Sequence, residues 1–178
     1  MTPAMEPFRA ATPADAAAIV ALVEASYRGD TGRQGWTTES DLLDGQRTDL
    51  AEVLGLLARP DSRVLLAPRE GRLIGCCHIE RLGVACYFGM FSVDPTLQGG
   101  GIGGALLGEA ERFARDEWGC TEVTMTVIDI RTELIHWYER RGYARTGEHK
   151  PFPYGDSRFG VPKRSDLRFE VLRKRLVS

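Results

Sequence analysis

The chain contains no asparagine, and only three of its 23 basic residues are lysines: Lys150, Lys163 and Lys174. We read both as coding bias. There is no basic excess either, since 23 Lys and Arg stand against 25 Asp and Glu for a net charge of −2. A non-specific nucleic-acid binder needs such an excess, so that class is excluded. No apolar run approaches the roughly 20 residues of a membrane helix. Met1 to Ala18 carries Glu6, Arg9 and Asp15 and lacks a basic stretch followed by an apolar one, so no secretory signal is expected.

Chemical motifs are missing as well. Cys76, Cys77, Cys86 and Cys120 form no CxxC pair, and His78, His136 and His149 are scattered. The set nearest to a metal site, Cys76-x-His78 with Cys86, lacks a paired ligand spacing, so no metal is expected. Reduced thiols and a cytoplasmic location fit these cysteines better than a disulfide scaffold. No Gly-x-Ser-x-Gly elbow anchors an esterase triad, and no Gly-Lys-Ser or Gly-Lys-Thr completes a P-loop.

The 178 residues are 43% apolar and 27% charged, a balance that supports one folded core. Thr12-Pro13 reads as a helix start, with Ile19, Leu22, Val23 and Tyr27 as its apolar stripe. Thr38 to Asp41 is a second cap-like start; Gly45 breaks that helix and Thr48 restarts it until Pro60. Arg63–Ala67 and Leu73–Glu80 flank Arg69-Glu70-Gly71 as a hairpin, and Val84–Val93 is a third β-like run. Gly101–Trp118 is helical, Thr121–Ile128 a strand, and Thr132–Arg141 a helix stopped by Gly142. Tyr143–Glu148 and Leu167–Leu172 close the pattern as strands, the latter running into a solvated Arg173-Lys174-Arg175 end. This order indicates a sheet with helices on its faces.

The most informative stretch joins the third β-run to the following helix. It reads Gln98-Gly99-Gly100-Gly101-Ile102-Gly103-Gly104, five glycines in its last six positions. Glycines at a helix N-terminus let unpaired N–H groups converge on one ligand, and the helix dipole favours an anion, most often a phosphate. So many glycines cost too much chain entropy for a plain turn. Gly99-x-Gly101-x-x-Gly104 also satisfies the dinucleotide fingerprint, and Asp129 stands where a ribose-binding acid belongs. Against that, Asp94 to Gln98 separate the strand from the first glycine, and the turn lies at mid-chain. A nicotinamide oxidoreductase stays open at this point.

These residues resemble a known family. Gln98-Gly99-Gly100-Gly101-Ile102-Gly103 is similar to the Q/R-x-x-G-x-G/A signature of the GNAT superfamily of N-acetyltransferases, and Phe91-Ser92-Val93-Asp94-Pro95 to the strand end before it. About 30 residues on, Trp137-Tyr138-Glu139-Arg140-Arg141-Gly142-Tyr143 resembles the family's YEKxGF segment. The resemblance covers Arg63 to Glu148 well and the first 60 residues only in element order. It implies one N-acetyltransferase domain over residues 1–178 with a GNAT-like α/β fold: a mixed, mostly antiparallel sheet flanked by helices on both faces.

The resemblance further implies acetyl transfer from acetyl-CoA, as cosubstrate, to a primary amine of a small molecule. The amides of Gln98, Gly99, Gly100, Gly101, Ile102, Gly103 and Gly104 would hold the CoA pyrophosphate. Phe91, Ser92 and Val93 would pair with pantetheine and meet the thioester carbonyl, where fixed N–H donors stabilise a developing oxyanion. Tyr138 would be the general acid for the departing thiolate, in a ternary complex without an acyl-enzyme. Tyr138 also shares a helical face with Arg131, Leu134 and Ile135, which fits a core residue. Where the family often has Asn, seven residues before that tyrosine, this chain has Arg131, whose fork suits CoA phosphate or pantetheine groups.

The strand Tyr87–Val93 contains no Glu, although some family members keep a base there. Glu80, ending the preceding strand, is the nearest candidate base; Glu39 is a second, at the acceptor side. Trp36, Glu39 and Tyr154 are expected to line the acceptor pocket, on segments rich in aromatic and polar groups. The missing Asn and strand Glu leave a non-catalytic acyl-CoA-binding or sensor domain as an alternative. Dimers are common in the family, and this sequence shows no interface.

Overall fold

A computed structural model describes residues 6–27, 43–44, 48–97, 100–151, 161–162 and 167–177. In chain order the elements are β1 (Arg9–Ala10), α1 (Ala16–Tyr27), β2 (Leu43–Asp44), α2 (Leu50–Ala58), β3 (Ser62–Arg69), β4 (Arg72–Leu82) and β5 (Ala85–Val93). There follow α3 (Ile102–Asp116), β6 (Glu122–Ile128), α4 (Thr132–Glu139), β7 (Ala144–Pro151), β8 (Val161–Pro162) and β9 (Arg168–Arg175). Seven strands form one sheet in the order β1-β3-β4-β5-β6-β9-β7; β2 and β8 pair separately. Every neighbouring pair in the large sheet is antiparallel except β5 and β6. The mixed, mostly antiparallel sheet expected from the sequence is therefore present.

Local chemistry explains the boundaries. Glu70 (φ 50°) and Gly71 (φ 76°) both take positive φ, as a two-residue hairpin turn between β3 and β4 requires. Ahead of α1, a 3-10 turn over Pro13–Asp15 is closed by the Asp15 carboxylate, which accepts from the Thr12 N–H at 2.8 Å. The second helix begins one residue later than expected. Asp49, not Thr48, caps α2 by accepting from the Glu52 N–H at 2.8 Å, while the Thr48 N–H donates to the Glu24 carboxylate of α1 at 2.8 Å. The cap-like start at Thr38 to Asp41 lies outside the described residues.

Alternation along the strands sorts side chains onto two faces. Val64, Leu66, Cys76 and Met90 meet Ile19, Val23, Val53 and Leu56 of α1 and α2. Leu65, Cys77, Ile79, Phe88, Val123, Met125 and Leu172 meet Leu106 and Ala110 of α3 and Ile135 and Tyr138 of α4. Leu106 and Ile135 are completely buried, a state worth about 1.5–3 kcal/mol for each such side chain. The four cysteines are buried and form no disulfide. No described helix is long and apolar enough to cross a membrane.

Two irregularities of β5 position the site. Its parallel pairing with β6 covers only Ala85–Tyr87 against Glu122–Thr124, although both strands continue, so they separate beyond Tyr87 and Thr124. Its register with β4 slips as well: Cys76 faces Ser92 while His78 faces Gly89, which sets Cys77 against both Met90 and Phe91. That is a β-bulge, and Met90 adopts φ 48° within it.

Candidate active site

The gap between β5 and β6 opens from the Tyr87–Thr124 level toward the carboxyl ends of both strands. Phe91 at the bulge and Ser92 and Val93 beyond it lie on its β5 side and are buried. Behind them a 3-10 turn over Pro95–Leu97 leads to the glycines. Asp94 shapes this turn: its carboxylate accepts from the Thr96 N–H at 3.0 Å and the Thr96 hydroxyl at 2.7 Å.

Gly101 starts α3 in the left-handed region at φ 83°, and a Cβ there would meet nothing within 4 Å. The space beside it belongs to no other part of the described protein. Among the described residues a Cβ at Gly100 would touch only the Leu97 carbonyl, at 3.4 Å. The first-turn amides of Ile102, Gly103 and Gly104 have no acceptor within their own helix. The turn is thus a backbone cradle with an anion-favouring dipole. Gln98 and Gly99 lie outside the described residues.

Helix α4 closes the other side. Its C-terminus is set by Gly142 at φ 97°, with the Tyr143 N–H donating to the Tyr138 carbonyl (3.2 Å) and the Gly142 N–H to the Glu139 carbonyl (3.1 Å). This termination places three side chains. Tyr138 is buried, its ring centroid 6.5 Å from Phe88, 6.3 Å from Phe91, 5.2 Å from Trp137 and 5.8 Å from Tyr143. Tyr143 donates to Glu111 of α3 at 2.8 Å, and Lys174 of β9 approaches the same carboxylate at 2.9 Å. Arg141 lies flat over Trp137, its guanidinium carbon 3.6 Å from the ring centroid.

Burial pushes the Tyr138 phenol well above the usual tyrosine range; the nearby Tyr27 adds to this and the Arg131 charge opposes it. Tyr138 therefore keeps its proton at neutral pH. Arg131, which precedes α4, stands close enough for Tyr138 to feel its charge. The two residues singled out from the sequence thus share one neighbourhood.

Arg141 escaped the sequence reading, which took the segment as a family match and gave this position no role. Beyond its stack on Trp137, the Arg141 guanidinium donates to the Trp137 carbonyl at 3.0 Å. Its Nε and Nη2 atoms lie 3.5 and 3.6 Å from where a Cβ of Gly104 would sit, so a cation is brought to the first turn of α3. Burial, with Arg140 nearby, lowers its pKa from the ordinary arginine value, and among the described residues it pairs with no carboxylate. A cation beside a helix N-terminus is unfavourable on its own and becomes favourable when an anion sits between them.

Glu80 belongs to a polar cluster on the face covered by α1 and α2. It stands opposite Tyr87, level with the closed end of the gap. Arg59 lies 3.1 Å from its carboxylate and His78 Nε2 3.6 Å. His78 Nε2 is also 2.8 Å from the Ser62 hydroxyl, and burial lowers the imidazole pKa to about 4, with Arg59 adding to the effect. Tyr87 folds back over Gly89: a Cβ at Gly89 would lie 2.7 Å from the Tyr87 hydroxyl. Asp129, the sequence candidate for a ribose-binding acid, is held by Arg168 of β9. Trp36, Glu39 and Tyr154 lie outside the described residues. Among the described residues no group of three or more His, Cys, Asp or Glu side chains is arranged to hold a metal ion.

Comparison with known proteins agrees with this geometry. A sequence model of the Acetyltransferase (GNAT) family matches residues 21–143. IAA acetyltransferase from Azospirillum brasilense is 34% identical over 118 residues, 65% of this chain and 74% of that protein. A mycothiol acetyltransferase from Salinispora tropica is 36% identical over 66 residues, 37% of this chain and only 22% of that longer protein. Among solved structures, an N-acetyltransferase from Staphylococcus aureus Mu50 superposes with a TM-score of 0.74 at 14% identity, covering 99% of this chain and 100% of that one.

Proposed function

The chain belongs to the GNAT family of acetyltransferases, and on that premise we propose that it transfers the acetyl group of acetyl-CoA to a primary amine of a small molecule, by direct attack in a ternary complex. The observation that carries this reading is the alignment of three features along one gap: the bulged strand Phe91–Val93, the glycine cradle at α3, and the protonated Tyr138.

The residues present suit acetyl-CoA. Open space beside Gly101, first-turn amides that α3 itself leaves without an acceptor and the Arg141 cation fit a pyrophosphate. Arg131 is the proposed contact for the phosphate or pantetheine groups of the cofactor. When bound, acetyl-CoA supplies an activated thioester. The backbone of Phe91 to Val93 orients that thioester and offers fixed amide dipoles to the charge that develops on its carbonyl oxygen. Tyr138 donates its proton to the leaving sulfur, which its raised pKa permits because the phenol is fully protonated at working pH. Glu80 takes a proton from the substrate ammonium so that the free amine can attack; its level at the closed end of the gap suits that role. The aromatic shell of Phe88, Phe91, Trp137 and Tyr143 keeps water from the phenol. Trp36, Glu39 and Tyr154 are the proposed acceptor contacts. Small-molecule acceptors are favoured by analogy with IAA acetyltransferase.

Calorimetric titration with acetyl-CoA, with NADH in parallel, tests the reading first. Saturable acetyl-CoA binding followed by thiol release with members of a primary-amine panel supports it. NADH binding alone overturns it. Acetyl-CoA binding with no thiol release from any amine replaces the enzyme by a binding domain.

A further inference from the structure

The β5 bulge is the irregular point of the sheet, and it has no glycine to make it easy. Met90 holds φ 48°, one of two non-glycine residues with positive φ among those described; the other, Glu70, is in a hairpin turn. A left-handed non-glycine residue costs roughly 1–2 kcal/mol, so surrounding contacts must hold it there. Both bulge carbonyls are held by side chains. The Met90 carbonyl accepts from the Ser92 hydroxyl at 3.3 Å, with Cys76 Sγ at 4.0 Å. The Phe91 carbonyl accepts from the Tyr27 hydroxyl at 2.6 Å, in a buried contact between residues 64 apart in sequence.

Tyr27 is the last residue of α1, on the opposite face of the sheet from the helix that carries Tyr138. The Phe91 ring is meanwhile packed by Trp137 at 5.7 Å and Tyr138 at 6.3 Å. Phe91 is therefore gripped from both layers, by its ring on one side and its carbonyl on the other. A peptide unit is planar, so fixing the Phe91 carbonyl also fixes the plane and direction of the Ser92 N–H.

We propose that Tyr27 is a positioning residue for acetyl transfer: its hydroxyl, through the Phe91 carbonyl, sets the orientation of the bulged backbone that polarises the thioester carbonyl. The role rests on the acetyl-CoA reading above. It predicts a division of labour. The glycine cradle and Arg141 provide affinity, while Tyr27 provides alignment, so losing its hydroxyl weakens polarisation and leaves binding in place.

The test uses Tyr27→Phe, which keeps the ring, and acetyl-CoA labelled with carbon-13 at the carbonyl. The bound carbonyl resonance of the wild type is expected downfield of the free one. In Tyr27→Phe it is expected to return more than halfway to the free position, with acetyl-CoA affinity within about twofold. Amide exchange in the ligand-free protein is expected to be roughly tenfold faster at Phe91–Val93 in the variant, since its local opening loses one buried hydrogen bond. Ser92→Ala, which frees the Met90 carbonyl, is expected to move the resonance the same way. An identical bound resonance in wild type and Tyr27→Phe overturns the proposal. So does a loss of affinity and thermal stability in step with the resonance, which marks a structural role only. A wild type that binds no acetyl-CoA refutes the functional reading itself, and is told apart because the unsubstituted protein is then silent.

Discussion

The Arg141 guanidinium stacks on Trp137 with its carbon 3.6 Å from the ring centroid, and its Nε and Nη2 lie 3.5 and 3.6 Å from where a Cβ of Gly104, in the first turn of α3, would sit. The cation is thereby locked in direction before any ligand arrives. Arg141→Ala is expected to weaken CoA and acetyl-CoA binding about tenfold, the loss of one charge-assisted contact. Calorimetry at low and high salt checks the origin, since the wild type should lose more affinity with salt than the variant. Equal affinity for both proteins would remove Arg141 from the phosphate site.

Tyr138→Phe is expected to lower kcat by about 100-fold while acetyl-CoA affinity stays within roughly twofold, because the ring contacts persist and only the proton is lost. The raised phenol pKa adds a second expectation. With the proton retained to high pH, the wild-type rate should not fall through the ordinary tyrosine range near pH 10. Steady-state rates from pH 6 to 10 with thiol detection check both points.

His78 makes a signed prediction about stability. Its pKa is about 4 in the folded protein against the ordinary histidine value of 6.5, so the unfolded chain takes up this proton first. Stability should therefore fall as pH drops from about 6.5 toward 4, by on the order of 3 kcal/mol in total, and this contribution should level off below that. Arg59, Glu80, Ser62 and Tyr87 face the imidazole and are the groups that would respond. Denaturant unfolding of the wild type and His78→Gln across this range isolates the effect, as the variant should lack it.

Gly101→Ala separates strain from ligand loss. The φ of 83° costs an alanine roughly 1 kcal/mol, equivalent to a melting shift of about 2–4 °C. Its Cβ would meet no atom of the described residues within 4 Å, its chain neighbours aside, and would enter the space we assign to the pyrophosphate. A larger proportional loss of CoA affinity than of stability is the expected outcome, read by thermal denaturation beside calorimetry.

The sequence was legible wherever the chemistry is local. Gly101 at the start of α3, Gly142 after α4 and Gly71 in the β3–β4 turn declare backbone conformations that few other residues take, and each stands where the pattern put it. The bulge was silent because Met90 occupies the left-handed position that a glycine would have marked. Tyr27 read as one member of an apolar stripe, and its hydroxyl acquires meaning only when β5, 64 residues away, comes alongside. Arg141 was hidden similarly, since its stack follows from the helix ending and its nearness to Gly104 from packing of α4 on α3. The α2 boundary was missed by one residue because Thr48 and Asp49 are adjacent residues of comparable capping chemistry, and the Asp49 carboxylate is the one that accepts the Glu52 N–H.

The strand order has a consequence for the growing chain. β9 pairs with β6 at seven positions from Glu122 to Ile128 and with β7 on its other side, yet it follows both in sequence. Until it is made, β7 has no neighbour in the sheet, and β6 has only its three positions on β5. The helices, the glycine cradle and the bulge can all be synthesised while the far wall of the gap, β6, still has a bare backbone edge along Glu122 to Ile128. The nascent protein is most open to aggregation, and most dependent on a chaperone, just before Arg168 to Arg175 leave the ribosome.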